Sequence, residues 1–90
     1  MLLCGVSELA EIATLRAGDH VIELVGNYDP DCRDEWFLQM PVLHDLDQAQ
    51  EYDACLLTAL DKTPVRYEEL AGVVGEEQLI VPALLKPALT

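Results

Sequence analysis

The turn that runs from Cys4 to Ala10 has the most recognisable chemical pattern in the sequence. Through Gly5 and Ala10 it matches two positions of G-x-G-x-x-G/A, a pyrophosphate-binding pattern of many dinucleotide-binding proteins. Ser7 stands where that pattern has its middle glycine, which lets a phosphate approach the backbone. A serine hydroxyl and a helix N-terminus can also bind phosphate, so Gly5, Val6 and Ser7 are the predicted phosphate contacts. Without a ligand, the same residues would serve as a tight turn, a helix cap and a packing contact.

Three further polar residues follow or end predicted strands and are expected near this turn. Asn27 and Asp29 come after the second predicted strand, where a carboxylate often binds a ribose hydroxyl. Thr58 lies towards the end of the fourth predicted strand and would form a wall of the same cleft. The sequence Asp29-Pro30-Asp31 is also typical of an ordinary turn, so a purely structural role is the alternative.

The cysteine and histidine residues offer little catalytic chemistry. Cys32 and His44 are predicted to lie near the cleft, but two residues complete neither a metal site nor a catalytic set. Cys4 and Cys55 are expected on neighbouring strands, staggered so that their Cα atoms lie beyond the ~7 Å limit for a disulfide. We interpret both as small core residues, and we predict no catalytic residue and no metal site.

Strand-like and helix-like segments alternate along the chain and would position these residues. Short apolar or β-branched runs predict strands. These runs are residues 1–4, 20–25, 41–43, 54–60 and 78–81. Helical spacing of apolar residues follows Ser7, and a short helical turn is predicted from residue 45 or 47 to residue 50. A further helix is predicted with Thr63 as its N-cap, Pro64 as its first residue and Gly75 as its end.

This order of elements predicts an α/β protein with a three-layer Rossmann-like fold. Its parallel sheet would have about five strands in the order 3-2-1-4-5, with helices on both faces. Residues 1–82 would form this single domain. Residues 83–90 would form a C-terminal arm or helical turn, packed either on a partner subunit or on the chain's own core.

The acidic composition limits the partners that this chain is expected to have. Its 90 residues include 17 acidic and 5 basic ones, which gives a formal net charge of -12. Such a charge repels a phosphate backbone and an anionic lipid surface, so we predict no direct nucleic-acid contact and no membrane contact. We recognise no signal peptide and no apolar span, and the three cysteines have no metal-type spacing. These features predict a cytoplasmic protein.

Several segments together resemble a known group of domains. They are residues 5–13, 27–31, 40–43, 52–60 and the stretch from Val74 to Pro82. They resemble the small Rossmann-like regulatory domains that follow a winged-helix DNA-binding domain in bacterial transcriptional regulators, including regulators associated with exopolysaccharide genes. CoA-binding domains, Rex-type redox repressors and the N-terminal nucleotide-sugar domain of sugar O-acyltransferases are similar. In such a regulator, DNA binding would require a separate segment.

The resemblance and the cleft residues lead to three hypotheses on function. The first is a non-catalytic ligand-sensing or dimerisation module, part of a bacterial transcriptional regulator, that forms a homodimer. Its ligand would be a nucleotide, a nucleotide-sugar or a CoA-like molecule, bound by Gly5, Val6, Ser7, Asn27, Asp29 and Thr58. The second is a pure protein-interaction domain with a vestigial cleft. The third is the binding half of an acyltransferase or oxidoreductase.

Overall fold

The computed structural model describes residues 1–20, 22–48 and 52–89, which form one mixed α/β structure. Its strands are β1 (Leu2–Cys4), β2 (Gly26–Tyr28), β3 (Trp36–Phe37), β4 (Met40–Leu43), β5 (Cys55–Leu57) and β6 (Leu79–Ile80). Its α-helices are α1 (Glu8–Asp19) and α2 (Thr63–Val74). Short 3₁₀ helices cover Leu46–Gln48, Glu76–Gln78 and Ala83–Leu89. Within these ranges, every helix is too short or too polar to cross a lipid bilayer.

All six strands form a single sheet in the order β3-β4-β2-β1-β5-β6. β3 runs antiparallel to β4, and the other neighbouring pairs are parallel. The predicted α/β class is therefore confirmed. The predicted purely parallel, five-stranded sheet in the order 3-2-1-4-5 was wrong, because an antiparallel strand extends one edge of the sheet. β1 lies between β2 and β5. The strands that follow β1 in the chain are therefore added first on its β2 side and then on its β5 side, so the strand order reverses at β1.

The two α-helices pack on opposite faces of the sheet. Leu2 and Leu3 are adjacent in β1, so their side chains point to opposite faces. Leu2 belongs to the larger apolar cluster with Leu70 of α2, whereas Leu3 belongs to the smaller cluster with Ala10 of α1. All four side chains are completely buried. The two clusters anchor the helices whose N-terminal ends border the candidate site.

The C-terminal segment packs on the chain's own core. Leu85 lies in the larger cluster and is only 5% exposed, whereas its neighbour Leu84 is 70% exposed. Within the 3₁₀ helix Ala83–Leu89, Leu85 thus packs within the chain, and Thr90 lies outside the described residues.

The second strand lies later in the chain than predicted. The prediction placed it at residues 20–25, but β2 is Gly26–Tyr28; Val21 lies outside the described residues. Pairing with β1 determines the position, because Leu2 lies opposite Gly26 and the ladder begins only there. The shift places Asp29 directly after the strand.

Gly26 was expected to end that strand, yet it begins β2. A side chain at this position would meet the carbonyl oxygen of Pro41 at 3.1 Å, so the neighbouring strand β4 requires a small residue here. A glycine next to a β-branched run therefore indicated close strand packing and not a turn.

The strand β3 was missed because its hairpin lacks the usual sequence signal. Two residues, Leu38 and Gln39, join β3 to β4. Leu38 has a φ of 56°, a conformation that two-residue loops normally give to glycine, asparagine or aspartate. Because Leu38 stands at this position, the segment has no turn signal and reads in the sequence only as a brief apolar run.

Helix α2 also begins differently from the prediction. Lys62 is its N-cap residue, with a left-handed φ of 54°, and Thr63 is the first helical residue. The Thr63 hydroxyl donates a hydrogen bond to the Ala59 carbonyl at 2.7 Å and so closes the preceding turn. Gly75 follows the last helical residue, as predicted.

The remaining predicted elements differ mainly in length. The structure has β4 at Met40–Leu43, β5 at Cys55–Leu57 and β6 at Leu79–Ile80. The short helical turn is a 3₁₀ helix at Leu46–Gln48, and residues 49 and 50 of that prediction lie outside the described residues.

Candidate functional site

The candidate site lies where β1, β2 and β5 end, and a two-point hydrogen bond forms its base. Asn27 in β2 accepts from the Gly5 amide through Oδ1 at 2.9 Å and donates from Nδ2 to the Gly5 carbonyl at 3.1 Å. Asn27 is completely buried. Its side chain therefore holds the turn after β1 in the way that a neighbouring strand would.

Gly5 is required at this turn by both its conformation and its neighbour. Its φ is 130°, which side-chain-bearing residues rarely adopt, and a Cβ on it would lie 2.4 Å from the backbone nitrogen of Ala59. The turn after β1 and the segment after β5 are thus in direct backbone contact.

The carboxylate of Asp29 organises the loop that follows β2. Its Oδ2 accepts from the Val6 amide at 2.9 Å, and its Oδ1 accepts from the Asp31 and Cys32 amides at 3.0 and 3.2 Å. The first bond ties the loop to the turn after β1, and the other two fold the loop back on itself. An anionic side chain therefore occupies amides at which a phosphate would bind.

Ser7 and Thr58 link the remaining two chain segments. Ser7 Oγ caps α1 by accepting from the Ala10 amide at 3.2 Å, and it donates to the Thr58 carbonyl at 2.6 Å. The Thr58 hydroxyl donates to the Gly5 carbonyl at 2.7 Å. The cap predicted at Ser7 is confirmed.

The structure brings all six predicted site residues together. Their polar groups form hydrogen bonds with other groups of the same chain. Gly5, Val6, Ser7, Asn27, Asp29 and Thr58 form one hydrogen-bonded group, which we call the edge clasp. Among the described residues, every buried side-chain nitrogen and oxygen atom has a partner. The clasp therefore fixes the shape of this edge of the sheet.

A cleft of about 320 Å³ opens beside the edge clasp. Val6 and Asp29 of the clasp line it, together with Asp31, Cys32, Ala59, Leu60, Asp61, Lys62 and Arg66. Its volume falls within the range of small-molecule sites. Its lining includes three carboxylates and two cationic side chains, so a ligand here would meet charges of both signs. We call it the carboxyl-edge cleft.

One side of this cleft is formed by a charged network that was not predicted from the sequence. Arg66 has a side chain only 7% exposed, and its Nη2 lies 2.8 Å from Asp31 Oδ2. Arg66 Nη1 lies 3.3 Å from Glu69 Oε2, and Glu69 Oε1 accepts from the Tyr28 hydroxyl at 2.5 Å. Lys62 Nζ lies 3.6 Å from the same Asp31 oxygen. The i, i+3 spacing of Arg66 and Glu69 was the available sequence signal, but such pairs usually lie on solvated helix faces.

Tyr28 contributes a phenol with a perturbed pKa to this network. Its burial, and then its hydrogen bond to the Glu69 carboxylate, raise the pKa of Tyr28 above its ordinary value of 10. The phenol therefore remains a hydrogen-bond donor to Glu69 through the neutral pH range.

Cys32 and His44 meet through the backbone. His44 Nε2 lies 2.7 Å from the Cys32 carbonyl oxygen. This contact of the imidazole is with the backbone of the loop and not with the Cys32 thiol. No group of three metal-ligating side chains is found in the part of the chain that the structure describes.

Cys4 and Cys55 are free thiols within the core, as interpreted from the sequence. Cys4 lies opposite Leu57 and Cys55 opposite Leu2, so the two cysteines are staggered by two residues on one face of the sheet. The hydrogen bond between the thiols, and then burial, raise the pKa of the Cys4 thiol. The same hydrogen bond lowers the pKa of the Cys55 thiol, so only Cys4 is held more firmly in its protonated form. Both side chains pack in the core.

A second cleft of about 590 Å³ lies on the α1 face, away from the edge clasp. It is lined by Thr14, Ala17, Gly18, Ile22, Leu24, Leu38, Gln39 and Met40. Two of these lining residues, Ile22 and Leu38, are 41% and 52% exposed. This apolar region lacks charged lining residues and offers packing surface.

Comparison with protein-family models, with curated proteins and with solved structures gave no match to this chain. The proposals that follow therefore depend on the geometry above.

Proposed function

We propose that this chain is a non-catalytic, Rossmann-like binding module that takes a nucleotide-type ligand in the carboxyl-edge cleft. The ligand class is a nucleotide, a nucleotide-sugar or a CoA-like molecule. The observation that carries the proposal is the position of the cleft. It opens at the carboxyl ends of the strands, beside β1, where the chain departs towards both edges of the sheet. Open α/β sheets bind their ligands at this position.

Asp29 supports the ribose part of this proposal. It directly follows β2 and lines the cleft, which is the place where a carboxylate binds ribose hydroxyls in related architectures. Three amide hydrogen bonds fix its carboxylate, and a carboxylate has about four acceptor positions in total. One position thus remains for a hydroxyl.

The other clasp residues would act mainly by shaping the cleft. The Gly5 amide is occupied by Asn27, and the Val6 amide by Asp29. In this proposal Gly5, Ser7, Asn27 and Thr58 hold the wall against which the ligand lies. Membership of a bacterial transcriptional regulator belongs to the same proposal and depends on the sequence resemblance. A cytoplasmic location is proposed from the sequence features and the spacing of the three cysteines.

Native mass spectrometry with NADH, ATP, UDP-glucose and CoA tests this function. We expect one equivalent of at least one of these molecules to bind per chain. Leu60 lines the cleft and is 48% exposed, so Leu60→Trp should fill the cleft and abolish binding. Leu84→Trp, at a 70% exposed position outside the cleft, is the matched control. If none of the four molecules binds, the proposal is contradicted.

A second candidate function is an interaction domain with a vestigial cleft. The internal hydrogen bonding of the edge clasp favours it, because every buried side-chain nitrogen and oxygen atom of the clasp already has a partner within the chain and does not need a ligand. In this case the exposed apolar side chains near the second cleft would pack against a second copy of the chain. Ile22→Glu, at a 41% exposed position that lines the second cleft, should then dissociate a dimer in sedimentation velocity, whereas Val73→Glu on α2, 62% exposed, should not.

A further inference from the structure

The cationic side of the carboxyl-edge cleft already holds an anionic group, and that group belongs to the chain itself. Asp31 Oδ2 lies 2.8 Å from Arg66 Nη2 and 3.6 Å from Lys62 Nζ. The Asp31 side chain is 57% exposed, whereas that of Arg66 is 7% exposed. A solvated carboxylate thus covers a buried guanidinium at the wall of the cleft.

Arg66 keeps its orientation through contacts that do not involve Asp31. Its Nη1 donates to Glu69 Oε1 and Oε2 at 3.4 and 3.3 Å. The Tyr28 hydroxyl fixes Glu69 from the other side at 2.5 Å. Since these bonds use the opposite nitrogen of the guanidinium, Nη2 would still face the cleft if Asp31 moved away.

The N-terminal end of α2 adds positive potential at the same place. It has no side-chain cap and no acidic residue in its first turn, and Lys62 is its N-cap residue. In α1 the corresponding end is capped by Ser7 and followed by Glu8 and Glu11. The positive end of the α2 dipole is therefore less compensated than that of α1.

We propose that Lys62, Arg66 and the first turn of α2 form the phosphate site of the nucleotide-type ligand, which Asp31 occupies until the phosphate displaces it. This inference rests on the proposed function and moves the phosphate away from the Gly5 turn, whose amides are occupied. Displacement exchanges one anion for another, so the buried Arg66 keeps a charged partner throughout. A phosphate carries more charge and more acceptor oxygens than a carboxylate, and it accepts bidentate bonds from arginine.

Isothermal titration calorimetry with inorganic pyrophosphate, ADP and adenosine tests the exchange. Asp31→Ala should bind pyrophosphate and ADP about fivefold more tightly than the unmodified chain, because the competing carboxylate is gone. Its affinity for adenosine should not change. Adding Lys62→Ala should reverse the gain. Asp34→Ala is the control, since it removes the same charge from the same loop at a residue that pairs with neither Lys62 nor Arg66.

Each outcome separates this inference from the proposed function. Equal gains in Asp31→Ala and Asp34→Ala would reflect net charge alone and would overturn the inference, as would no gain in Asp31→Ala. If ADP still bound the unmodified chain in those cases, the proposed function would stand.

A different outcome is that Asp31→Ala binds pyrophosphate more tightly than the unmodified chain does but binds ADP no more tightly. The phosphate site would then stand, and the nucleotide class of the ligand would fail. Asp31→Asn, with thermal unfolding as a check on folding, repeats the comparison with a side chain of nearly the same shape.

Discussion

Gly5 and Ala59 approach so closely that a methyl group on Gly5 would lie 2.8 Å from the Ala59 side chain and 2.4 Å from its backbone nitrogen. This contact joins the turn after β1 to the segment after β5. It sets the width of the sheet edge on which the edge clasp and the carboxyl-edge cleft are built.

Gly5→Ala should therefore destabilise the fold severely, by more than about 3 kcal/mol, through both the steric overlap and the φ of 130°. Gly72→Ala provides the control, because nothing lies within 4 Å of a Cβ at that helical position. There we expect a gain of about 1 kcal/mol from helix propensity. Urea unfolding followed by circular dichroism measures both. A Gly5→Ala protein as stable as the unmodified chain would refute the contact.

Lys62→Gly should raise the free energy of unfolding by about 1 kcal/mol, because glycine adopts the left-handed φ of 54° without a Cβ clash. The exposed ion pair with Asp31 that is lost contributes less than this. Lys62→Ala removes the same charge and keeps a Cβ, so it should bring no gain. Equal stabilities of the two variants in urea unfolding would show that the backbone at residue 62 is unstrained.

Cys32 should be the one cysteine that reacts with Ellman's reagent in the folded chain. Cys4 and Cys55 are completely buried, whereas Cys32 is partly exposed and lines the cleft. We expect one equivalent of thiol to react in buffer and all three in urea. Cys32→Ser should abolish the reaction in buffer, and a ligand in the cleft should slow it. Rapid reaction of more than one thiol in buffer would contradict the buried position of the β1 and β5 cysteines.

Tyr28 should make stability depend on pH in the alkaline range. Its pKa is raised in the folded state, so the stability that it contributes is complete below its ordinary value of 10 and is lost as the pH rises through the folded value. We expect the free energy of unfolding to fall as the pH rises above about 10, and to fall less in Tyr28→Phe. Tyr52, whose pKa is also raised by burial, is present in both proteins and cancels in the comparison. Parallel pH profiles would show that the hydrogen bond to Glu69 is not maintained in solution.

The sequence predicted the elements whose signals are local. Ser7 before an amphipathic run specified the start of α1, and the continuous apolar run around Cys55–Leu57 specified a central strand. The six candidate residues were brought together because carboxyl ends of parallel strands share an edge of the sheet.

What could not be predicted depends on contacts between distant segments. The position of β2 follows from pairing with a three-residue strand 24 positions away, Leu2 opposite Gly26, and residues 20–25 do not encode it. The Arg66–Asp31 pair spans 35 residues, and no pattern in either segment identifies the other. The left-handed residues Leu38 and Lys62 are not the types that favour this conformation, so tertiary packing must impose it.

A ¹H–¹⁵N NMR titration of the labelled chain with ADP, UDP-glucose and CoA tests the proposed function most directly. If the carboxyl-edge cleft binds the ligand, the amides of Val6, Cys32, Asp61 and Lys62 should shift most, because these residues line it. Shifts confined to Gly18, Ile22 and Leu38 would assign binding to the second cleft. If none of the three molecules causes shifts, the nucleotide-type ligand is contradicted and the interaction domain is favoured.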